Sequence, residues 1–105
     1  MTVYVPDRWL VVEVTNAETN KAVKKVLAAW YGTFAGDEHW QLNSGIKLTK
    51  ECNDRFEFHS YSGNLYVCYK SLYGVTSLSN GILKHWQRQG MPVKVLEEYD
   101  VRSTD

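Results

Sequence analysis

The chain has 105 residues, a length that suits one domain with a single modest core. Hydrophobic residues make up 44% and include four Trp, seven Tyr and three Phe, which excludes a disordered chain. Twelve Lys plus Arg balance twelve Asp plus Glu, so net charge gives no general argument for nucleic acid or membrane binding. No apolar run reaches the roughly eighteen residues of a transmembrane helix, and no membrane partner is expected.

The first strands are predicted in the N-terminal third. Residues 9–15 alternate apolar and polar side chains, the pattern of a half-buried strand. A polar turn cluster at residues 16–20 leads into residues 21–31, which we interpret as a second strand although the same letters could begin a helix. Gly32 and Gly36 then bracket a sharp bend or a loop that passes close to another backbone.

The clearest alternation predicts a third strand over residues 40–49. It is long enough to bend at Gly45 and to serve two sides of a barrel. Its expected apolar face consists of Trp40, Leu42, Ser44, Ile46 and Leu48.

Residues 55–70 predict a β-hairpin with Gly63 and Asn64 as the two central residues of a tight turn. This register sets Phe58 opposite Tyr69. The expected apolar face is Phe56, Phe58, Leu65, Val67 and Tyr69. The expected solvent-exposed face consists of Arg55, Glu57, His59, Tyr61, Tyr66, Cys68 and Lys70.

After the hairpin the hydrophobic period changes to three or four residues, which predicts one amphipathic helix over residues 76–89. Thr76 or Ser77 can cap its start, and Gly90 followed by Pro92 can stop it. Its apolar stripe is Val75, Leu78, Ile82, Leu83 and Trp86. A last extended segment is expected over residues 92–99.

Together these elements predict a mainly β fold: a small five-stranded bent barrel, Sm-like or SH3-like, with one C-terminal helix and a short final extended segment. The barrel covers about residues 8–70 and the helix about 76–89, with a C-terminal extension over 91–105, all in one domain. An OB-like barrel is the alternative, but it needs a longer link between the third and fourth strands.

The residues that could act in catalysis or bind a cofactor form no recognisable motif. His39, His59 and His85 and the two cysteines lack metal-ligand spacing, so no metal and no cofactor are expected. The predicted register brings only Cys68 and His59 together as a thiol and a base, without an oxyanion turn, and we therefore predict that the protein is not an enzyme. Free thiols and the lack of a signal segment before Pro6 favour a cytoplasmic location.

The predicted solvent-exposed face of the hairpin combines aromatic side chains with positive charges, a composition that can stack on single-stranded bases and neutralise phosphates. The candidate nucleic-acid-binding residues are Arg55, His59, Tyr61, Tyr66, Lys70, Asn43, Lys47 and Lys50. Two other interpretations remain open for this face. Tyr61 and Tyr66 could simply be a cross-strand pair. The face or the hairpin edge could also be a contact between subunits.

Three segments carry a family resemblance: VYVPDRWLVVEV, AAWYGTFAG with DEHWQLNSGI, and SYSGNLYVCYKSLYG. Over about residues 3–74 the chain resembles a group of small Sm-like proteins of cyanophage origin from marine viral and metagenomic sequences. The resemblance implies a bent barrel that assembles edge to edge into a homo-oligomeric ring, through residues 55–61 and 65–70, and binds nucleic acid. The Sm residues that read uridine have no counterparts here, so they cannot be transferred.

The sequence and the resemblance together predict a homo-oligomeric ring that binds single-stranded RNA or DNA with little sequence preference, with a role in nucleic-acid processing. Its location would be the cytoplasm of an infected bacterial cell. The alternative is a phage adaptor or inhibitor that binds a host protein through the Trp86 helix or the acidic tail. A mild basic excess in residues 21–94 is a weak indication of polyanion binding, and ordinary solvated faces are the favoured explanation.

Overall fold

The computed structural model of the protein describes residues 1–32 and 38–96. The expected bend between Gly32 and Gly36, and the last part of the predicted extended segment, lie outside these residues. The described strands are, in chain order, β1 (Val3–Tyr4), β2 (Arg8–Thr15), β3 (Ala22–Trp30), β4 (His39–Leu42), β5 (Ile46–Glu51), β6 (Arg55–Ser60), β7 (Leu65–Tyr69) and β8 (Val93–Val95). A short 3-10 turn (Lys70–Leu72) and one helix, α1 (Ser77–Arg88), complete the elements.

The strands form two four-stranded sheets, in the orders β1-β7-β6-β5 and β4-β3-β2-β8. The prediction of a mainly β fold with one helix is confirmed. The five expected strands do not close into a barrel in the part of the chain that is described, because β1 and β8 are added at the margins of two separate sheets. No helix among the described residues combines the length and apolar character needed to cross a membrane.

The pairing of β2 with β3 confirms the first two predicted strands. It also excludes the alternative that the second of them begins a helix. The antiparallel register runs from Arg8 opposite Ala29 to Thr15 opposite Ala22. Both faces of β2 are buried near its start, since Trp9 and Val11 belong to one core cluster and Leu10 and Val12 to another. The strand therefore divides the interior into two layers.

Trp9 lies at the centre of the layer between the sheets. It is fully buried, with ring centroids 5.8 Å from Phe56 and 5.6 Å from Phe58. Its indole N–H donates a 2.7 Å hydrogen bond to the Tyr69 carbonyl, which satisfies the polar end of the ring. Burying each of these side chains stabilises the fold by about 1.5–3 kcal/mol.

The second layer lies between α1 and the β2-β3 sheet. Leu83 is buried there, and Trp86 meets Trp40 edge to face at 5.5 Å. Thr76 caps the helix by accepting a 3.2 Å hydrogen bond from the Ser79 N–H, as expected from the sequence. The helix ends before Gly90, whose φ of +72° suits glycine.

The predicted long strand is two strands, β4 and β5, which belong to different sheets. The chain turns between them at Gly45, with a φ of +134° that L side chains rarely adopt. A register shift between Ile46 and Leu48 then reverses the alternation, so Leu48 is 58% exposed instead of facing the core. Gly45 was therefore identified correctly as the bend; the predicted face is right at Ile46, which packs against the core, and wrong at Leu48.

The hairpin of β6 and β7 is confirmed, but its predicted register is wrong. Phe58 lies opposite Tyr66, and the loop spans residues 61–64, closed by a 2.9 Å hydrogen bond from the Ser60 N–H to the Asn64 carbonyl. The register is shifted by three residues, from Tyr69 to Tyr66 opposite Phe58, and this odd shift reverses the faces of β7, so that Tyr66 and Cys68 are buried. The predicted meeting of Cys68 and His59 does not occur, because Cys68 pairs with Phe56 and faces the core.

The expected open edge is wrong for residues 55–61 and is covered only at its start for residues 65–70. β6 is an interior strand, with β5 on one side and β7 on the other. β1 pairs in parallel with Leu65 and Tyr66 at the start of β7, and the Leu65 N–H donates to the Thr2 carbonyl at 2.9 Å. The edge strand on the other side of this sheet is β5.

Candidate nucleic-acid interface

Arg55, a predicted phosphate ligand, is engaged by carboxylates of its own chain. Its guanidinium lies 3.0 Å from the Glu57 carboxylate and 2.9 Å from that of Asp54. These hydrogen bonds, that to Glu57 first and that to Asp54 second, raise the pKa of Arg55. The positive charge of Arg55, which the sequence analysis assigned to a phosphate, is therefore already balanced by these two carboxylates.

Lys70 is neutralised in the same way. Its ammonium lies 2.6 Å from a Glu51 carboxylate oxygen on β5 and 5.2 Å from the centroid of the Phe56 ring. An ion pair together with a cation–π contact holds the side chain against the sheet. Lys70 therefore does not join a free basic surface.

Tyr66 and Asn43 are structural residues. Tyr66 is 4% exposed, and its hydroxyl donates a 3.1 Å hydrogen bond to the Gln41 side chain. Burial raises the pKa of Tyr66, with smaller contributions from Tyr4 and Cys68. Neither Tyr66 nor the buried Asn43 can stack on a ligand or contact one.

Asn43 joins the two sheets at the point where β4 ends. Its carbonyl oxygen accepts a 2.8 Å hydrogen bond from the Val26 N–H, and its amide nitrogen donates at 2.9 Å to the Ser60 hydroxyl. Because both partners belong to different sheets, this side chain fixes the crossing between them. The polar amide of Asn43, which suggested a ligand contact, therefore makes its hydrogen bonds inside the fold.

Tyr61 remains accessible, with 66% of its surface exposed. A Cβ built on Gly45 would lie 3.0 Å from both the Tyr61 ring and the Val23 side chain, so the ring passes directly over this glycine. The Tyr61 N–H also donates a 3.1 Å hydrogen bond to the Gly45 carbonyl. The ring is thus positioned by backbone contact on one side and open to solvent on the other.

His59 precedes Tyr61 by two residues at the end of β6, and two lysines lie on the adjacent strand β5. His59 is opposite Leu48 across the β5-β6 pair and half-buried, and Lys50 is opposite Glu57 one row along. Lys47 and Lys50 are both exposed. We call Tyr61, His59, Lys47, Leu48 and Lys50 the hairpin-end patch. It offers one ring for stacking and two ammonium groups for phosphates.

An aromatic row that the sequence reasoning missed runs along the opposite margin of the sheets. Tyr4 stacks on Tyr66 at 4.9 Å and meets Trp30 edge-on at 6.1 Å. Trp30 in turn stacks on His39 with centroids 4.7 Å apart and planes 8° from parallel. The Trp30 indole N–H donates to the Val5 carbonyl at 3.1 Å, so the row attaches β1 to both sheets.

Trp86, proposed for an adaptor helix, is half-buried against Trp40. No group of three or more His, Cys, Asp or Glu that could hold a metal ion occurs among the described residues.

Comparisons with protein-family models, with curated proteins and with solved structures give no match to this chain. The resemblance to Sm-like proteins therefore stays a prediction, and function has to be argued from the residues themselves.

Proposed function

We propose that the protein binds single-stranded RNA or DNA with little sequence preference at the hairpin-end patch. The observation that carries this proposal is the Tyr61 ring, which is 66% exposed and supported from below by Gly45. A base can stack on its open face, and stacking tolerates every base because each has a π-face. Lys47 and Lys50 then contact the neighbouring phosphates.

The expected mode of binding is weak and dependent on salt. One stacked base is worth about 1–3 kcal/mol, and each lysine adds a phosphate contact. Arg55 and Lys70 add little, because their charges are already paired.

The resemblance to Sm-like proteins supports the same class of ligand. A role in nucleic-acid processing would follow from this binding. The proposal itself requires only one copy of the hairpin-end patch.

Fluorescence anisotropy with a short labelled oligouridine and the matching DNA tests the proposal. Tyr61→Ala should weaken binding by about 5- to 150-fold, the equivalent of one lost stack. Lys47→Ala with Lys50→Ala should weaken it further and reduce the salt dependence.

The matched control is Arg55→Ala, which removes a positive charge from the same sheet. Its guanidinium is held by Glu57 and Asp54, so affinity should stay close to that of the parent protein. Equal losses for Arg55→Ala and for the lysine pair would mean that only overall charge matters. If Tyr61→Ala binds the oligonucleotide as tightly as the parent protein, Tyr61 is not the stacking site.

A further inference from the structure

Side chains from the two sheets come together over Gly45, the residue at which the chain passes from one sheet to the other. A Cβ built on this glycine would lie 3.0 Å from the Tyr61 ring and 3.0 Å from a methyl group of Val23. Val23 belongs to β3 of one sheet and is 38% exposed, and Tyr61 directly follows β6 of the other. The ring and the methyl group are therefore neighbours, and they form one apolar surface that crosses between the sheets.

Lys25 lies on the same face of β3 as Val23. Side chains two positions apart in a strand share a face and are separated by about 6.6 Å. This is the outer face of the sheet, because Leu27, two positions further along, packs in the layer toward α1 and not in the core between the sheets. Lys25 therefore extends the surface of Tyr61 and Val23 along β3.

The cross-strand neighbours of Lys25 carry no negative charge. Val12 lies opposite Lys25 on β2, and Val95 lies opposite Val12 on β8. The Lys25 ammonium makes no ion pair with any residue that the structure describes. Because Lys25 is half-buried, its aliphatic stem can lie along the apolar surface while the charge stays in solvent.

The preceding lysine, Lys24, has the opposite surroundings. It lies on the other face of β3 and is directly opposite Glu13 on β2, which in turn lies opposite Lys94 on β8. Lys24 and Lys25 are both half-buried. Positive charge is thus accompanied by a carboxylate on the face of Lys24, and it is uncompensated on the face that Val23 shares with Lys25.

We propose that a single strand of RNA or DNA stacked on Tyr61 continues over Val23 and places a phosphate at Lys25. This inference rests on the proposed function and gives the bound strand a second direction. Lys47 and Lys50 contact phosphates on the β5 side of the ring, and Lys25 contacts one on the β3 side. Gly45 makes this crossing possible, because a Cβ at this position would push the Tyr61 ring and the Val23 methyl group away.

Fluorescence anisotropy with labelled oligouridines of two lengths tests this path. A short strand occupies only the hairpin-end patch, whereas a strand of about eight nucleotides, within the site sizes of single-strand-binding domains, can also contact Lys25. For the parent protein, the log-log salt slope of the longer strand should be steeper by about 0.7, the equivalent of one additional phosphate contact. Lys25→Ala should abolish this difference. The matched control Lys24→Ala should retain it, since Lys24 lies on the other face.

Val23→Glu is a second test, because it places a carboxylate between Tyr61 and Lys25. It should weaken binding of the longer strand, whereas Val3→Glu, the same change at an exposed valine of β1, should not. Circular dichroism verifies the fold of each variant. A parent protein that binds neither strand overturns the proposed function and this path with it. Binding that depends on Tyr61 but responds equally to Lys25→Ala and Lys24→Ala overturns the path alone.

Discussion

The ring of Tyr4 stacks on the ring of Tyr66 with centroids 4.9 Å apart and planes inclined by 28°. The contact joins the two-residue strand β1 to β7, which belongs to the hairpin some sixty positions later in the chain. Tyr4 therefore packs against the folded core, although Val3 and Val5 on either side of it are exposed. β1 also covers the start of the β7 edge at which the sequence predicted a contact with a second subunit.

Removing the Tyr4 ring should destabilise the protein. Tyr4→Ala deletes the contacts with Tyr66 and Trp30, and we expect a loss of about 2–3 kcal/mol in the free energy of unfolding, below the cost at a fully buried site. Urea denaturation measures it. The matched control Tyr61→Ala, at an exposed tyrosine, should change stability by less than about 0.5 kcal/mol. Equal effects would show that β1 is not held by this stack.

Asn43→Ala should also destabilise the fold, because it leaves the Val26 N–H without its acceptor in the buried crossing between sheets. The expected cost is about 1–3 kcal/mol. Asn53→Ala, at an exposed position, serves as the control. If the two alanine variants unfold at the same urea concentration, the bridge does not hold the sheets together.

The two thiols should differ sharply in reactivity. Burial raises the pKa of Cys68 well above its ordinary value, so little thiolate forms, and the side chain is fully buried. A thiol reagent at mildly alkaline pH should modify Cys52 quickly and Cys68 only upon unfolding. The variant Cys52→Ser should show almost no fast reaction. Fast labelling of that variant would contradict the burial of Cys68.

Alkaline pH should destabilise the protein. The folded pKa values of Tyr66 and Cys68 lie above their unfolded values, so the folded state retains these protons more tightly. The stability they contribute is present below the unfolded pKa values, near 9 for the thiol and 10 for the phenol, and is lost as pH rises through the folded ones. Tyr66→Phe should therefore show a shallower loss of unfolding free energy above about pH 10. An unchanged slope would refute the assignment to Tyr66.

Local patterns in the sequence were sufficient for β2, the helix and its caps. Alternation identified β2, a period of three to four residues identified α1, and Thr76 and Gly90 marked its ends, whereas β3 was assigned from its place between strand-like segments. These features depend on residues close in sequence. The same reasoning identified the bend at Gly45, since only glycine readily adopts its φ.

Which faces of β5 and β7 are buried, and which residues of the candidate site are free to bind, depend on strand pairing that alternation along one strand does not encode. The hairpin register differs from the predicted one by three residues, an odd number that reversed the faces of β7, and one bulge reversed β5 at Leu48. Arg55 and Lys70 looked free because their partners Glu57 and Glu51 reach them only after the strands have paired. Tyr61, Lys47 and Lys50 stayed exposed as expected.

The salt dependence of oligonucleotide binding tests the central claim most directly. A short labelled single strand should bind at low salt, and the logarithm of its association constant should fall linearly with the logarithm of salt concentration. Two lysine contacts predict a slope of about −1.4 per copy. No detectable binding at low salt, or binding that is independent of salt, would contradict the proposal that Tyr61, Lys47 and Lys50 form a nucleic-acid site.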